Sequence, residues 1–406
     1  MALGKLFWIN TGALSAYALF AFLPTPWLQS VPVIRYLHSL AILIVIFPLV
    51  GLNLTVILEK FTKQNFDWLE RLNIATLLAL IIPPLLLTLE YSFFGILSER
   101  LPIFNAAAIF LAAISYHPIA LEKDRLLSFP PLRFLGTIAV AFTIYLILTL
   151  SIELAFYPLP DSDPYYWLLT TQAEIQSGVI TPLNLHRPAF SSLVTLFHVT
   201  ANVDLYAFFK YVLPAFSLLV LIPATLAARR STQFLEQLSM LFLPLASGAL
   251  ILYFFLPMPQ AIINICITFF IFFLLHSFFS RKEFFYFFAG FSLVGAYFYH
   301  ELAILPFLAW IIVTLWYYRK PLFEKLRTEK TLFLLILVIA YYNANVLQSL
   351  YIFFDNWLRR IFQSIAQLQT NFTFPLSYVN TDGHTVGWIN GSGVLKFYAF
   401  YVGPTV

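Results

Sequence analysis

The sequence predicts an all-α, polytopic membrane protein of about eleven transmembrane helices, with one long extracytoplasmic loop that carries an interfacial helix. Three observations predict it. Of 406 residues, 61% are hydrophobic and 10% charged, against roughly 45–50% and about 25% in ordinary soluble domains. The mean hydropathy is +0.84, more apolar surface than a water-soluble core can hide, so lipid must solvate it. The apolar residues fall in runs of membrane-crossing length, and the basic residues alternate from one connection to the next.

Runs of roughly 17–25 apolar residues mark candidate spans. In order they are 7–28, 37–58, 72–94, 103–120, 134–156, 204–228, 236–256, 260–280, 284–299, 301–318 and 331–353. The first follows a single lysine, is too long for a signal-peptide core and precedes no small-residue cleavage pattern, so it reads as a retained span. The ninth and tenth run together through His300 and Glu301 and read as a tight hairpin. The 45 Phe, 22 Tyr and 8 Trp suit lipid-facing surfaces and interfacial belts. The chain ends on Gly403-Pro404-Thr405-Val406 after the apolar run 394–402, which reads as the edge of an interrupted span in a fragment.

Sidedness follows from the basic residues. One alternating set of connections holds Lys5, Lys60, Lys63, Arg71, Lys123, Arg125, Arg133, Arg229, Arg230, Arg281, Lys282, Arg319, Lys320, Lys325, Arg327 and Lys330, which is 16 of the 23. The positive-inside rule assigns that set, and the N-terminus, to the cytoplasm. Arg35, Arg100, Arg187, Lys210, Arg359, Arg360 and Lys396 fall on the other side, together with the loop 157–203 and the C-terminal stretch from 354. The organisation is then a four-span accessory region (1–133), a seven-span core (134–353) and an extracytoplasmic C-terminal segment (354–406).

The loop opens on YPLPDSDPYYWLLTTQAEIQSG, residues 157–178. Asp163 before Pro164, with Gly178 fifteen residues on, marks a helix at both ends: an N-cap, a proline at N1 and a glycine at C′. Tyr165, Leu168, Leu169 and Ile175 supply a face for the membrane surface. Asp163 therefore has a structural role as a cap. Asp161 has none: it stands in Pro-Leu-Pro-Asp-Ser-Asp-Pro, where the prolines hold the backbone extended. Two carboxylates two residues apart can share a hard divalent cation such as Mg²⁺ or Mn²⁺, or one can act as a base that the other orients.

An acidic pair just after a span, at the outer surface and ahead of an interfacial helix, resembles the GT-C superfamily of membrane glycosyltransferases. Oligosaccharyltransferase catalytic subunits, protein O-mannosyltransferases and lipid A aminoarabinose transferases belong to it. Asp161-Ser162-Asp163-Pro164-Tyr165-Tyr166 and Asn184-Leu185-His186-Arg187-Pro188 carry the resemblance. It covers residues 134–353, a little over half the chain. It implies catalysis by Asp161 with Asp163, those two as the metal-holding pair if a divalent ion serves, and a polyprenyl-phosphate-linked sugar donor. The acceptor is a lipid, glycan or protein, and the setting a plasma (inner) membrane rather than the ER. The next outer loop, Pro257-Met258-Pro259-Gln260, lacks the second acidic motif of oligosaccharyltransferases, and Gly387-Trp388-Ile389-Asn390-Gly391 lacks the acid of their Trp-Trp-Asp motif. The monosaccharide-transferring branches fit better.

Ionisable residues in apolar surroundings are expensive and mark function by default. Glu90, Glu153, Lys210 and Glu301 are the outer-side examples. Arg187 and Lys210 are the cations for a donor phosphate, while His300, Glu301, Glu153 and His186 are candidates for substrate binding. Snorkelling into interfacial water accounts for the same residues without chemistry. No histidine spacing matches a metal site and no phosphate-binding Gly-rich loop occurs, so direct ATP use is unsupported. Cys266, the single cysteine, excludes an intrachain disulfide and reads as a small buried hydrophobe. No nucleic-acid partner is expected. Two other classes remain open: a transporter or lipid flippase, which needs charges near span midpoints, and a non-catalytic membrane scaffold.

Overall fold

A computed structural model describes residues 5–21, 32–64, 66–94, 101–116, 131–155, 162–178, 188–245, 259–299, 303–317, 376–379 and 385–389. The chain divides into two compact units, Met1–Phe307 and Leu308–Val406. The described residues are overwhelmingly helical, as an apolar chain must be where no water is present to satisfy backbone polar groups.

In the first unit the helices are α1 (Lys5–Ala21), α2 (32–62), α3 (Trp68–Phe94), α4 (Leu101–Tyr116), α5 (Leu132–Ala155), α6 (Ser162–Ser177), α7 (188–200), α8 (Leu205–Ala228), α9 (234–245), α10 (Pro259–Ser280) and α11 (Phe284–Tyr299). Next comes α12 (Ile304–Tyr317), on which the division between the units falls. Each predicted run up to residue 318 overlaps one of these helices; the ends of 7–28, 103–120 and 236–256, and all of 331–353, lie outside the described residues. Among the described residues, five stretches are long and apolar enough to cross a membrane: Leu37–Thr62, Trp68–Glu90, Leu132–Thr149, Leu205–Ala228 and Pro259–Ser280. In the second unit, β1 (Leu376–Val379) and β2 (Thr385–Ile389) pair antiparallel, Leu376 opposite Ile389 and Ser377 opposite Trp388. No strand was expected in that C-terminal segment.

α3 is the axis of the first unit. Its start is a reciprocal cap: the Glu70 N–H donates to Asp67 Oδ1 and the Asp67 N–H donates to Glu70 Oε2, both at 3.0 Å. α2 packs against it at a point where only glycine fits, because a Cβ on Gly51 would lie 2.0 Å from the Ala75 carbonyl oxygen. Small residues on both helices let the backbones approach, as is usual between membrane helices. α1 joins them through a buried amide pair, Asn10 and Asn53, whose side chains exchange two hydrogen bonds of 2.8 Å. On the other side α11 approaches α3 closely as well, with Gly295 against the Ile81 side chain.

Prolines interrupt these rods at defined places. Pro83 and Pro84 lie within α3, Pro48 within a π-helical turn of α2 (Val45–Leu49), and Pro214 just after another in α8 (Phe208–Val212). A proline cannot donate to the carbonyl four residues back, so each leaves an acceptor that something else must meet. The core is built largely of phenylalanine. Phe273 of α10 packs at a tilt on Phe285 and Phe288 of α11, while Phe197 of α7 packs at a tilt on Phe208 and edge-on against Phe216 of α8.

Candidate functional site

The loop 157–203 is not a loop over most of its described length. α6 begins at Ser162, directly after α5, and ends as expected at Gly178, whose φ of 67° is the left-handed conformation that glycine adopts without strain. Asp163 therefore lies inside the first turn rather than ahead of it. An acidic residue there still complements the helix dipole.

α6 turns a further face to the protein, one that the apolar pattern did not mark. Pro164, Trp167, Thr171 and Glu174 are buried, while Leu169 is 62% exposed and Leu168 and Ile175 are half-buried. These buried positions recur every three to four residues, so they form one helical stripe. Half of it is polar, which is why apolar periodicity did not pick it out. The Thr171 hydroxyl is buried and makes no hydrogen bond among the described residues. Glu174, which sequence reasoning missed altogether, is 1% exposed.

α7 accounts for the next difference. Residues 189–197 are buried without exception, and Ser192 Oγ lies 2.8 Å from Thr88 Oγ1 of α3. The apolar stretch 188–200 is too short for the span criterion, and runs of that length are typically core or re-entrant helices. It packs inside the bundle.

An aromatic chain joins α6 to α8. Trp167 meets Phe190 of α7 edge-on at 5.3 Å, and Phe190 meets Phe209 of α8 at 6.1 Å. The next residue is Lys210, which lies in the π-helical turn and is 2% exposed. Burial to that degree rules out snorkelling, the alternative reading of this lysine. π-Turns often occur at functional sites, since the extra residue re-aims side chains. Phe197, which packs on Phe208 and Phe216, also lines an apolar groove of about 630 Å³ that runs along α2, α3 and α8.

Among the described residues, the most connected charged cluster is elsewhere, where α3 begins. Glu70 is 1% exposed. Lys282 Nζ donates to both its carboxylate oxygens at 2.7 Å, His276 Nε2 stands 2.9 Å from Oε1, and Arg229 lies 3.5 Å away. Arg229 also donates to Asp67 Oδ2 at 2.6 Å. One buried carboxylate thus ties the turns after α8 and α10 to the start of α3. The Asp67-to-Glu70 spacing of a capping box was the available signal for it; its partners were not legible.

Of the other expected site residues, Asp161, His186, Arg187, His300 and Glu301 lie outside the described residues. Asp163 and Glu153 are described as helix backbone only, Glu153 within α5. Glu90 accepts a hydrogen bond from Asn105 of α4, which gives it a structural partner. Among the described residues, no group of three or more His, Cys, Asp or Glu side chains is placed to hold a metal ion. Compared with known proteins, the chain matches no family model, no curated protein and no solved structure.

Proposed function

We propose that this chain is an integral-membrane glycosyltransferase, which moves a sugar from a polyprenyl-phosphate-linked donor to an acceptor at the extracytoplasmic face. One arrangement carries the reading. α6 opens on Ser162-Asp163-Pro164 directly after α5, docks through a half-polar face, and connects through Trp167, Phe190 and Phe209 to the buried Lys210. An acidic residue in the first turn of α6 (Asp163) and a buried cation on α8 (Lys210) support a reaction between a lipid phosphate and an aqueous nucleophile.

In this reading the donor's isoprenoid tail lies along the apolar groove beside Phe197 and Phe216. Asp161 takes the proton from the acceptor hydroxyl as its oxygen attacks the anomeric carbon. The bond from that carbon to the carrier's phosphate oxygen breaks with inversion, and the phosphate departs against Arg187 and Lys210. General-base help of this kind is worth about 10²–10⁴-fold. His300, Glu301, Glu153 and His186 hold sugar or acceptor hydroxyls, and Asp161 with Asp163 would hold a divalent ion where one serves. The N-terminus is cytoplasmic, and the α6 segment and the C-terminal stretch are extracytoplasmic.

The test is Asp161→Asn beside Asp163→Asn in membranes that make the native glycoconjugate, scored for glycan transfer at matched protein levels. Loss of transfer in Asp161→Asn with normal accumulation is the expected result. Full transfer by both variants would remove the carboxylates from any chemistry and leave a transporter or scaffold.

A further inference from the structure

At the far end of α8 from Lys210, about 28 Å away along the helix at 1.5 Å per residue, a second groove of about 890 Å³ opens. Its walls are the first turns of α5, the turn between α8 and α9, and the start of α3. We propose that it binds the headgroup of an anionic phospholipid. Arg133 and Arg229 meet the phosphate, Ser231 and Thr232 lie beside it, and the first part of an acyl chain rests on Phe134 and Val140.

The charge balance favours an anion. The charged residues that line the groove are Arg133, Arg229 and Asp67, a net charge of +1 (two arginines less one aspartate), and the nearby Glu236 is already met by the Ser231 hydroxyl. Asp67 already accepts from Arg229 and caps α3. Arg133 is exposed and makes no ion pair among the described residues.

The walls are held in place before anything binds. Thr137 Oγ1 donates to Gln237 Oε1 at 3.0 Å, which locks α5 to α9, and Gln237 Nε2 donates to the Ser231 carbonyl at 2.7 Å. The Gln233 N–H donates to Ser231 Oγ at 3.0 Å, so the turn itself is ordered.

A lipid fits better than a free phosphate ester because the rim is greasy. Leu132 is 85% exposed, Leu235 72% and Phe234 49%, and the α5 wall continues about 10 Å from Arg133 to Val140. Arg133 and Arg229 both belong to the basic set that the positive-inside rule assigns to the cytoplasm. The cytoplasmic leaflet carries the anionic lipids and a negative surface potential. This site and its test are independent of the transferase reading.

The experiment is native mass spectrometry of the full-length protein in detergent, titrated with phosphatidylglycerol, with phosphatidylcholine, and with glycerol 3-phosphate as competitor. One phosphatidylglycerol should be retained in preference to phosphatidylcholine, with about five-fold weaker retention in Arg133→Gln, near the effect of one basic residue at an anionic surface. Arg133→Lys should keep most of the retention, and the melting temperature of Arg133→Gln should equal that of the parent, because the Arg133 side chain makes no ion pair among the described residues. Equal retention of both lipids, no effect of Arg133→Gln, or full displacement by an equal concentration of glycerol 3-phosphate would overturn the proposal.

Discussion

The Tyr299 hydroxyl donates to the carbonyl of Leu80 at 2.7 Å, and that carbonyl is the acceptor Pro84 leaves unmet within α3. Tyr299 is 1% exposed, so no water competes for the site. A tyrosine from 219 residues away in sequence thus substitutes for a missing backbone N–H. Tyr299→Phe should destabilise the protein by about 1–3 kcal/mol, the cost of a buried acceptor left unmet. Pro84→Ala restores the N–H, so the loss on adding Tyr299→Phe should shrink in that background. Thermal unfolding in detergent reads both; a Tyr299→Phe loss of equal size in the two backgrounds would refute the substitution argument.

Glu70 and Lys282 lead to a second prediction. Removing one partner of a buried ion pair commonly costs about 3–5 kcal/mol, because the other charge stays buried. Glu70→Ala leaves three side chains, Lys282, His276 and Arg229, converging on an empty place. Lys282→Ala leaves Glu70 with His276 and Arg229, and Lys282 itself is 35% exposed. Glu70→Ala should therefore lower the melting temperature clearly more than Lys282→Ala. The reverse order would mean that the cluster does not hold the three turns together.

Gly51 and Gly12 make a matched pair. A Cβ at Gly51 meets the Ala75 backbone at 2.0 Å, whereas one at Gly12 meets nothing within 4 Å. Gly51→Ala should cost about 1–3 kcal/mol as α2 and α3 are forced apart. Gly12→Ala, in a helix interior, should be neutral or gain up to about 1 kcal/mol. Unfolding midpoints of the two variants compared with the parent decide it, and equal effects would show that the α2–α3 approach is not tight.

Lys210 tests the chemistry. Lys210→Met keeps most of the side chain's bulk without the charge, and Lys210→Arg keeps the charge. If Lys210 stabilises the departing phosphate, Lys210→Met should cut transfer by about 10²–10³-fold, the usual effect of losing one transition-state donor, mainly in kcat, with recovery in Lys210→Arg. Transfer assays with donor titration, on protein that retains its parent melting temperature, separate this from a packing role. Undiminished transfer by Lys210→Met would make Lys210 structural.

Local rules read most of the helices. Runs such as 260–280 and 284–299 match α10 and α11 nearly to the residue, because span length and apolarity are properties of contiguous sequence. Pro164 and Gly178 bracket α6 for the same reason, since φ preferences belong to single residues. Lys210 was legible as an unusual charge but not as a buried one. α7, at thirteen residues, is too short to be read as a span, so its place in the core was not legible either.

By itself, then, the sequence determined that this is a helical membrane protein, where most of its described helices run, and which connections are rich in basic residues. Only the tertiary structure decided that α7 is core, that α6 docks by Trp167, Thr171 and Glu174, and that Glu70 is met from 206 and 212 residues away. The physical reason is one of range. Helix formation in an apolar medium depends on composition over about 20 residues, whereas the fate of a buried polar group depends on a partner whose distance in sequence is arbitrary.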